Sequence, residues 1–323
     1  MADADLNFWG DMPENEYYAS QGVINKKEYV TTPNGRLFTQ SWLPAGGGPI
    51  KGVVCCTHGY GSTCSWMFQK IPISIAQWGY AAYAADVPGH GRSDGLRAYV
   101  DDIERFAATL LHFYGGVRDR EAYRGVPKYL FGESMGGGIT LLMLLKERPG
   151  AWDGAMFSAP LFEMPTHMKP SRLRLFAYGL LLGLADTWAV MPFSNMVQHA
   201  VRDPAKAKVI AANPMRYQGP PRVGTMRELS RMCDTIRSRC HEVDVPILLL
   251  HGTADDLATH EGSQMVHERA KSSDKTIKLY EGMYHSLIQG ESDENVIVVL
   301  GDMRHWIDSR SAAAAMACES TQM

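Results

Sequence analysis

Residues 132–136 read Gly-Glu-Ser-Met-Gly, a G-x-S-x-G pattern. It follows a short apolar run at 129–131 and opens a helical pattern at Met135, the strand–turn–helix context of an exposed nucleophile. A Cβ at 132 or 136 would strike the neighbouring strand or helix, which accounts for both glycines. Ser134 then stands at a helix N-terminus, where the dipole favours a developing oxyanion. The plainer alternative is a surface serine in a glycine-rich turn. A serine hydroxyl is a weak nucleophile; it needs a base, and the base needs an acid to orient it. The run His251-Gly-Thr-Ala-Asp255-Asp256 directly follows an apolar stretch at 247–250. Asp255, one turn past that stretch, is the preferred acid, with Asp256 the alternative. Among eleven histidines, His285 follows the stretch 276–280 within Gly-Met-Tyr-His-Ser and is the candidate base. His267 and His305 fall inside helical patterns, while His58 and His251 end earlier strands.

Acyl chemistry also needs two backbone N–H groups aimed at the tetrahedral oxygen. One is expected from Met135, the residue after the nucleophile. The other is expected from Tyr60, in the His58-Gly59-Tyr60-Gly61 loop after the apolar run 52–57. His58 itself reads as a hydrogen-bonded loop anchor, because a base there would be out of chain order. Residues 89–95 (GHGRSDG) lack both the ending of a phosphate-binding P-loop and the spacing of a dinucleotide fingerprint. They read as a structural loop beneath the site. No pattern implies a metal, and the expected cofactor set is empty.

The elements that must position these residues are legible from hydrophobic pattern. Two alternating runs, 24–30 and 37–42, flank the turn Thr32-Pro33-Asn34-Gly35 and predict a hairpin. Short continuous apolar runs at 52–57, 80–85, 129–131, 155–157, 247–250 and 276–280 predict parallel strands buried on both faces. Helical patterns at 101–117, 135–146, 261–271 and 293–307 alternate with them. The predicted class is α/β, a mostly parallel sheet with helices on both faces. The order Ser134, Asp255, His285 is the order of the α/β-hydrolase fold.

One stretch breaks the alternation. Residues 161–244 contain no good strand but helical pieces at 170–185, 204–212 and 221–240, and an unusual number of methionines, including Met164, Met168, Met191, Met196, Met226 and Met232. Core filling and an adaptable lid over an apolar site both account for such a segment. The expected organisation is a core over 1–160 and 245–310, an inserted helical cap over 161–244, and a flexible tail over 311–323.

Thirty-two basic against 35 acidic residues leave a net charge of −3, which supplies no electrostatic case for a nucleic-acid partner. The N-terminal residues are acidic rather than basic, unlike a secretory or transit signal. The longest apolar stretch, 175–185, falls short of the about 20 residues that a bilayer crossing needs. Six cysteines without metal-ligand spacing read as reduced thiols. A cytoplasmic protein is expected, with no integral membrane segment; peripheral membrane attachment and oligomeric state are left open.

Taken together, HGYGS, GHGRSDG, GESMGG, HGTAD and a late YHS, in that order, resemble the monoacylglycerol lipase-like group of serine hydrolases over about residues 24–308. Longer runs are similar to the plant caffeoylshikimate esterases within that group. They are SWMFQK at 65–70, FGESMGG at 131–137, MFSAPLF at 156–162, LFAYGLLLGLADTWAVMP at 175–192, RVGTMREL at 222–229 and EGMYHSLIQGE at 281–291. The resemblance implies catalysis by Ser134, Asp255 and His285, an oxyanion hole of Tyr60 and Met135, and a small ester substrate, caffeoyl shikimate, from lignin precursor synthesis. It also implies substrate contacts by Gly59, Ser62, Trp66, Trp188 and Met191. Glycerol-ester lipases place a Glu just after HGxG and an Arg four residues later; Ser62 and Trp66 stand there instead. Alternatives are a monoacylglycerol or lysophospholipid lipase, or a ligand receptor on the same fold.

Overall fold

The computed structural model describes residues 7–166, 186–189 and 196–321. Eight strands form one sheet: β1 (Val23–Thr32), β2 (Gly35–Pro44), β3 (Val53–Thr57), β4 (Ala81–Ala85), β5 (Lys128–Glu133), β6 (Gly154–Ser158), β7 (Ile247–Gly252) and β8 (Lys275–Tyr280). Their spatial order is β1-β2-β4-β3-β5-β6-β7-β8. The predicted hairpin forms β1 and β2, pairing Thr32 with Gly35 across Pro33-Asn34. β2 meets β4 antiparallel, and every later pairing is parallel. The mostly parallel sheet expected from the apolar runs is therefore the observed one.

Adjacent thiols show how the sheet divides the core. Cys55, on one face, belongs to the apolar core that also holds Leu110, Ile139 and Ile236, and Cys56, on the other, to the separate one that holds Phe68, Ile71 and Trp306. The first face is covered by α3 (Ile103–Arg118) and α4 (Met135–Lys146). The second is covered in part by α2 (Lys70–Gln77), preceded in the chain by α1 (Glu14–Ser20). Asp102 caps α3, its carboxylate accepting the amides of Glu104 at 3.0 Å and Arg105 at 3.2 Å. α2 escapes a pattern reading because Pro72 and three isoleucines are poor helix signals. Pro72 is tolerated because first-turn amides have no helical partner.

Between β6 and β7 the described residues contain no strand, only α5 (Met196–Ala200), α6 (Pro204–Ala211) and α7 (Val223–Arg239). The helix expected at 170–185 and the methionines Met168 and Met191 lie outside the described residues. α8 (His260–Arg269) and α9 (Asp293–Thr321) close the chain. In the segment expected as a tail, 311–323, the backbone is helical through Thr321. Alanine at 312–315 has the strongest intrinsic helix preference. Ser311 is tied to the Tyr80 hydroxyl at 3.0 Å and the Tyr129 hydroxyl at 3.1 Å. No helix among the described residues is long and apolar enough to cross a membrane.

The turn joining β5 to α4 is sterically closed. A Cβ on Gly132 would lie 2.5 Å from the Gly136 carbonyl oxygen, and one on Gly136 would lie 2.4 Å from that of Thr57. Both obstacles are backbone, which cannot swing aside. Gly136→Ala is therefore expected to lower stability by about 3 kcal/mol, the upper end of ordinary overpacking costs. Gly116→Ala, at an exposed position of α3 with nothing within 4 Å of the added carbon, should be neutral or stabilising by up to about 1 kcal/mol. Urea unfolding midpoints compare the two, and similar losses in both would contradict this account of the turn.

Candidate active site

Three side chains from distant parts of the chain meet in one hydrogen-bonded line. Ser134, between β5 and α4, donates its hydroxyl hydrogen to His285 Nε2 at 2.8 Å. His285, in the loop after β8, donates from Nδ1 to Asp255 Oδ2 at 2.7 Å. Asp255, in the loop after β7, accepts at Oδ1 from the amides of Leu257 at 2.8 Å and Ala258 at 3.0 Å. Asp256 turns away: its side chain is 66% exposed and sits 3.6 Å from His199.

Asp255 has a further partner that the pattern reading assigned only to a strand end. His251 Nε2 lies 3.1 Å from Asp255 Oδ2 and 3.0 Å from the Ala258 carbonyl oxygen. Both are acceptors, so Nε2 carries the hydrogen. Nδ1 then accepts from the Ser263 hydroxyl at 2.7 Å. Burial opposes ionisation of Asp255, but the His285 charge and the hydrogen bonds from His251 and His285 outweigh it, holding the carboxyl well below its usual range. Burial likewise works against a charged His285, yet neighbouring Asp255 prevails and raises its pKa above the ordinary histidine value. The loop is braced on both sides of His285: Ser286 N–H donates to the Ala200 carbonyl at 2.8 Å, and Tyr284 N–H donates to buried Glu291 at 2.7 Å.

The loop after β3 runs beside the serine. A Cβ on Gly59 would come within 3.0 Å of Ser134 Cβ, so the backbone passes as close as a chain can. His58 anchors this loop, accepting from Val87 N–H at Nε2 (2.9 Å) and donating from Nδ1 to the Gly59 carbonyl (2.8 Å). Burial, chiefly, lowers its pKa to about 3, so it is neutral. The GHGRSDG segment folds around buried Asp86, whose carboxylate accepts from Cys64 N–H at 2.6 Å and Arg92 N–H at 2.8 Å. It thereby fastens the loop after β4 to the loop after β3. Tyr60 is held by its hydroxyl on the Ala98 carbonyl at 3.1 Å. Met135 is the first residue of α4, so its N–H has no carbonyl within the helix to bind.

These groups open on a pocket. Among the described residues its wall carries Gly59, Tyr60, Ser62, Ser134, Met135 and His285, an apolar side of Leu161, Met164, Met196, Pro221, Met226, Leu229 and Leu257, and the polar residues Glu133, Arg216, Ser286 and Gln289. Three of the methionines expected in the inserted segment thus face this space, while Met232 is fully buried in the core. Of the expected contact residues, Gly59 and Ser62 line it. Trp66 does not. It borders an adjoining cleft, its indole N–H fixed on the Val209 carbonyl at 2.7 Å. Trp188 is 54% exposed and absent from the wall, and its carbonyl instead receives Val223 N–H at the start of α7. Met191 lies outside the described residues. Glu133, Arg216 and Gln289 were not anticipated; Glu133 was hidden as the variable position of G-x-S-x-G, and Arg216 gives no local signal.

Known proteins resemble the chain closely. The family model described as "Serine aminopeptidase, S33" matches residues 48–293. Caffeoylshikimate esterase of Arabidopsis thaliana is 59% identical over 304 residues, covering 94% of this chain and 91% of that one. Monoglyceride lipase of Homo sapiens is 28% identical over 281 residues, covering 87% and 89%. The crystal structure of a soluble variant of monoglyceride lipase from Saccharomyces cerevisiae, in complex with a substrate analog, superposes with a TM-score of 0.79 at 21% identity, covering 89% of this chain and 96% of that one. A shared fold, a family model over most of the chain and a highly similar esterase converge on one conclusion. The chain belongs to the S33 serine aminopeptidase family, as an α/β-hydrolase-fold serine ester hydrolase.

Proposed function

We propose that the chain hydrolyses caffeoyl shikimate to caffeate and shikimate, with residues 161–244 serving as a cap over Ser134. The observation that carries the substrate assignment is the 59% identity to the Arabidopsis esterase over 304 residues, a span too long to omit the segment between β6 and β7. An apolar pocket wall beside Ser134 suits a planar phenylpropenoyl group.

In this reading Ser134 Oγ attacks the ester carbonyl as His285 Nε2 takes its proton. The tetrahedral oxyanion receives the N–H groups of Tyr60 and Met135, at the N-terminus of α4. His285 then protonates the departing shikimate oxygen, leaving caffeate esterified to Ser134. Water enters, gives a proton to His285, and releases caffeate as Ser134 recovers its hydrogen. Asp255 holds the imidazole with its hydrogen on Nδ1 and stabilises the imidazolium that forms twice in each cycle.

Side-by-side kcat/KM for caffeoyl shikimate, p-coumaroyl shikimate and a monoacylglycerol tests the substrate. The caffeoyl ester is expected to lead the monoacylglycerol by at least about tenfold, or 1.4 kcal/mol; the reverse order would transfer the assignment to a glycerol-ester lipase. Release of shikimate in a burst, followed by steady turnover to caffeate, is expected of an enzyme, against a single stoichiometric release by a receptor.

Ser134→Ala should remain folded and lose activity by about 10⁴-fold or more. Adding His285→Ala should change little, because the two act as one unit; retention of a tenth of normal turnover by Ser134→Ala would remove it from the nucleophile's role. Asp255→Asn should lower kcat by about 10³–10⁴-fold and Asp256→Asn by no more than a few-fold. The acid limb of the pH profile gives a second readout. His285 accepts a proton only when neutral, and Asp255 raises its pKa. Hence kcat/KM should fall with decreasing pH through a value above the ordinary histidine pKa of about 6.5. In Asp255→Asn that limb should move to lower pH, and an unmoved limb would detach it from His285.

A further inference from the structure

The pocket beside Ser134 has a polar annex. The adjoining cleft shares Ser62, Arg216, Ser286 and Gln289 with the pocket and adds Asn213. Hydroxyl, amide and guanidinium groups thus gather where pocket and cleft meet, while apolar side chains, among them Met67, Phe68 and Ile210, make up the rest of the cleft's lining.

Arg216 is the only charged side chain shared by both cavities among the described residues. Among the described residues its guanidinium makes no hydrogen bond or ion pair. Glu133 is the neighbouring carboxylate on the pocket wall, and it receives its hydrogen bond from Gln289 Nε2 at 3.0 Å instead. Burial lowers the Arg216 pKa, with Glu133 opposing, but a guanidinium remains charged at any ordinary pH. A largely enclosed cation whose hydrogen-bond donors are unmet is costly. Its backbone is nonetheless fixed: Arg216 N–H donates to the Asn213 carbonyl at 3.1 Å, Tyr217 N–H donates to the Gly61 carbonyl at 3.0 Å, and Arg97 donates to the Pro214 carbonyl at 3.2 Å. The side chain is thus presented to the same space that Ser134 opens on, with the Glu133 carboxylate a charged neighbour but not a hydrogen-bond partner.

We propose that Arg216 binds the carboxylate of the ester's alcohol portion, so that the enzyme selects esters whose leaving group is a hydroxylated carboxylic acid. The planar fork of a guanidinium matches the two oxygens of a carboxylate, and the pair is stronger for being charge-assisted. Ser286, Asn213 and Gln289 supply hydrogen-bonding groups around it for ring hydroxyls. A glycerol leaving group has no carboxylate and leaves Arg216 unpaired, which penalises the neutral ester. Discrimination then comes from a buried polar group that only the right leaving group satisfies, the stronger of the ways a site can reject an analogue. This inference rests on the substrate reading above, in which the leaving group is shikimate.

The test compares caffeoyl shikimate with its shikimate methyl ester, which masks the carboxylate and keeps the scissile bond. The unaltered enzyme should favour the free acid by at least about tenfold in kcat/KM. In Arg216→Gln that ratio should fall at least tenfold, mainly through KM for the acid, and Arg216→Lys should restore part of it. Calorimetry on Ser134→Ala provides a readout free of turnover: it should bind shikimate, and Ser134→Ala with Arg216→Gln should not. Should Arg216→Gln fail to fold, Arg216→Lys carries the same comparison, because it keeps the charge and loses the fork. An unchanged ratio with undiminished shikimate binding overturns the proposal, as does an equal loss on both esters. If shikimate binds through Arg216 but caffeoyl shikimate is not turned over, the carboxylate site stands and the substrate reading falls. Turnover of caffeoyl shikimate with no role for Arg216 gives the converse.

Discussion

The packing of one turn against one strand governs the site. Ser134 sits at φ 56° and ψ −125°, a backbone conformation that a side chain adopts only when its surroundings impose it. Such a residue stores about 1–3 kcal/mol of strain. Here the imposing contacts are Gly136 against the end of β3 and Gly132 against the first turn of α4. Ser134 N–H on the Ser158 carbonyl at 3.1 Å and its own carbonyl accepting Leu161 N–H at 2.9 Å lock the turn from the β6 side. The same approach that strains the serine brings Gly59 and Tyr60 alongside it. Ser134, the N-terminus of α4 and the neighbouring loop are thus located by a single steric fit.

The electrostatics follow from how completely Asp255 is satisfied. It is buried, and an ion there is tolerated only when its lone pairs are occupied. Two amides, His251 and His285 occupy them. His251 is itself fixed by Ser263 and the Ala258 carbonyl, so the orientation of His285 traces back to buried residues behind Asp255. A network filled to this degree is rigid, and rigidity near the reacting atoms is what lowers reorganisation when charge appears.

The sheet was legible because buried parallel strands leave continuous apolar runs, six of which lie within a few residues of β3 to β8, and because alternation around a turn marks β1 and β2. Only β8, at the sheet edge, is less buried than its run suggests. Ser134, Asp255 and His285 were legible because each follows a strand, and topology carries strand ends to one edge. Groups whose position depends on long-range contact were not. Arg216 occupies an irregular segment that only docking on Gly61 brings to the pocket. Trp66 and Trp188 read as pocket aromatics because large apolar side chains follow the loop and the inserted segment, but carbonyl partners elsewhere claim one and solvent the other. Ser311, just before four consecutive alanines, is held by two tyrosine hydroxyls that no local pattern signals.

The hydrogen bond from Tyr217 to Gly61 joins two neighbours of opposite kind. Gly61 follows Tyr60, whose amide faces the reacting carbonyl in our mechanism, and Tyr217 follows Arg216, which we assign to the leaving group. The proposed oxyanion donor and the proposed leaving-group contact therefore share one backbone anchor, and a change that displaced it would move both positions together.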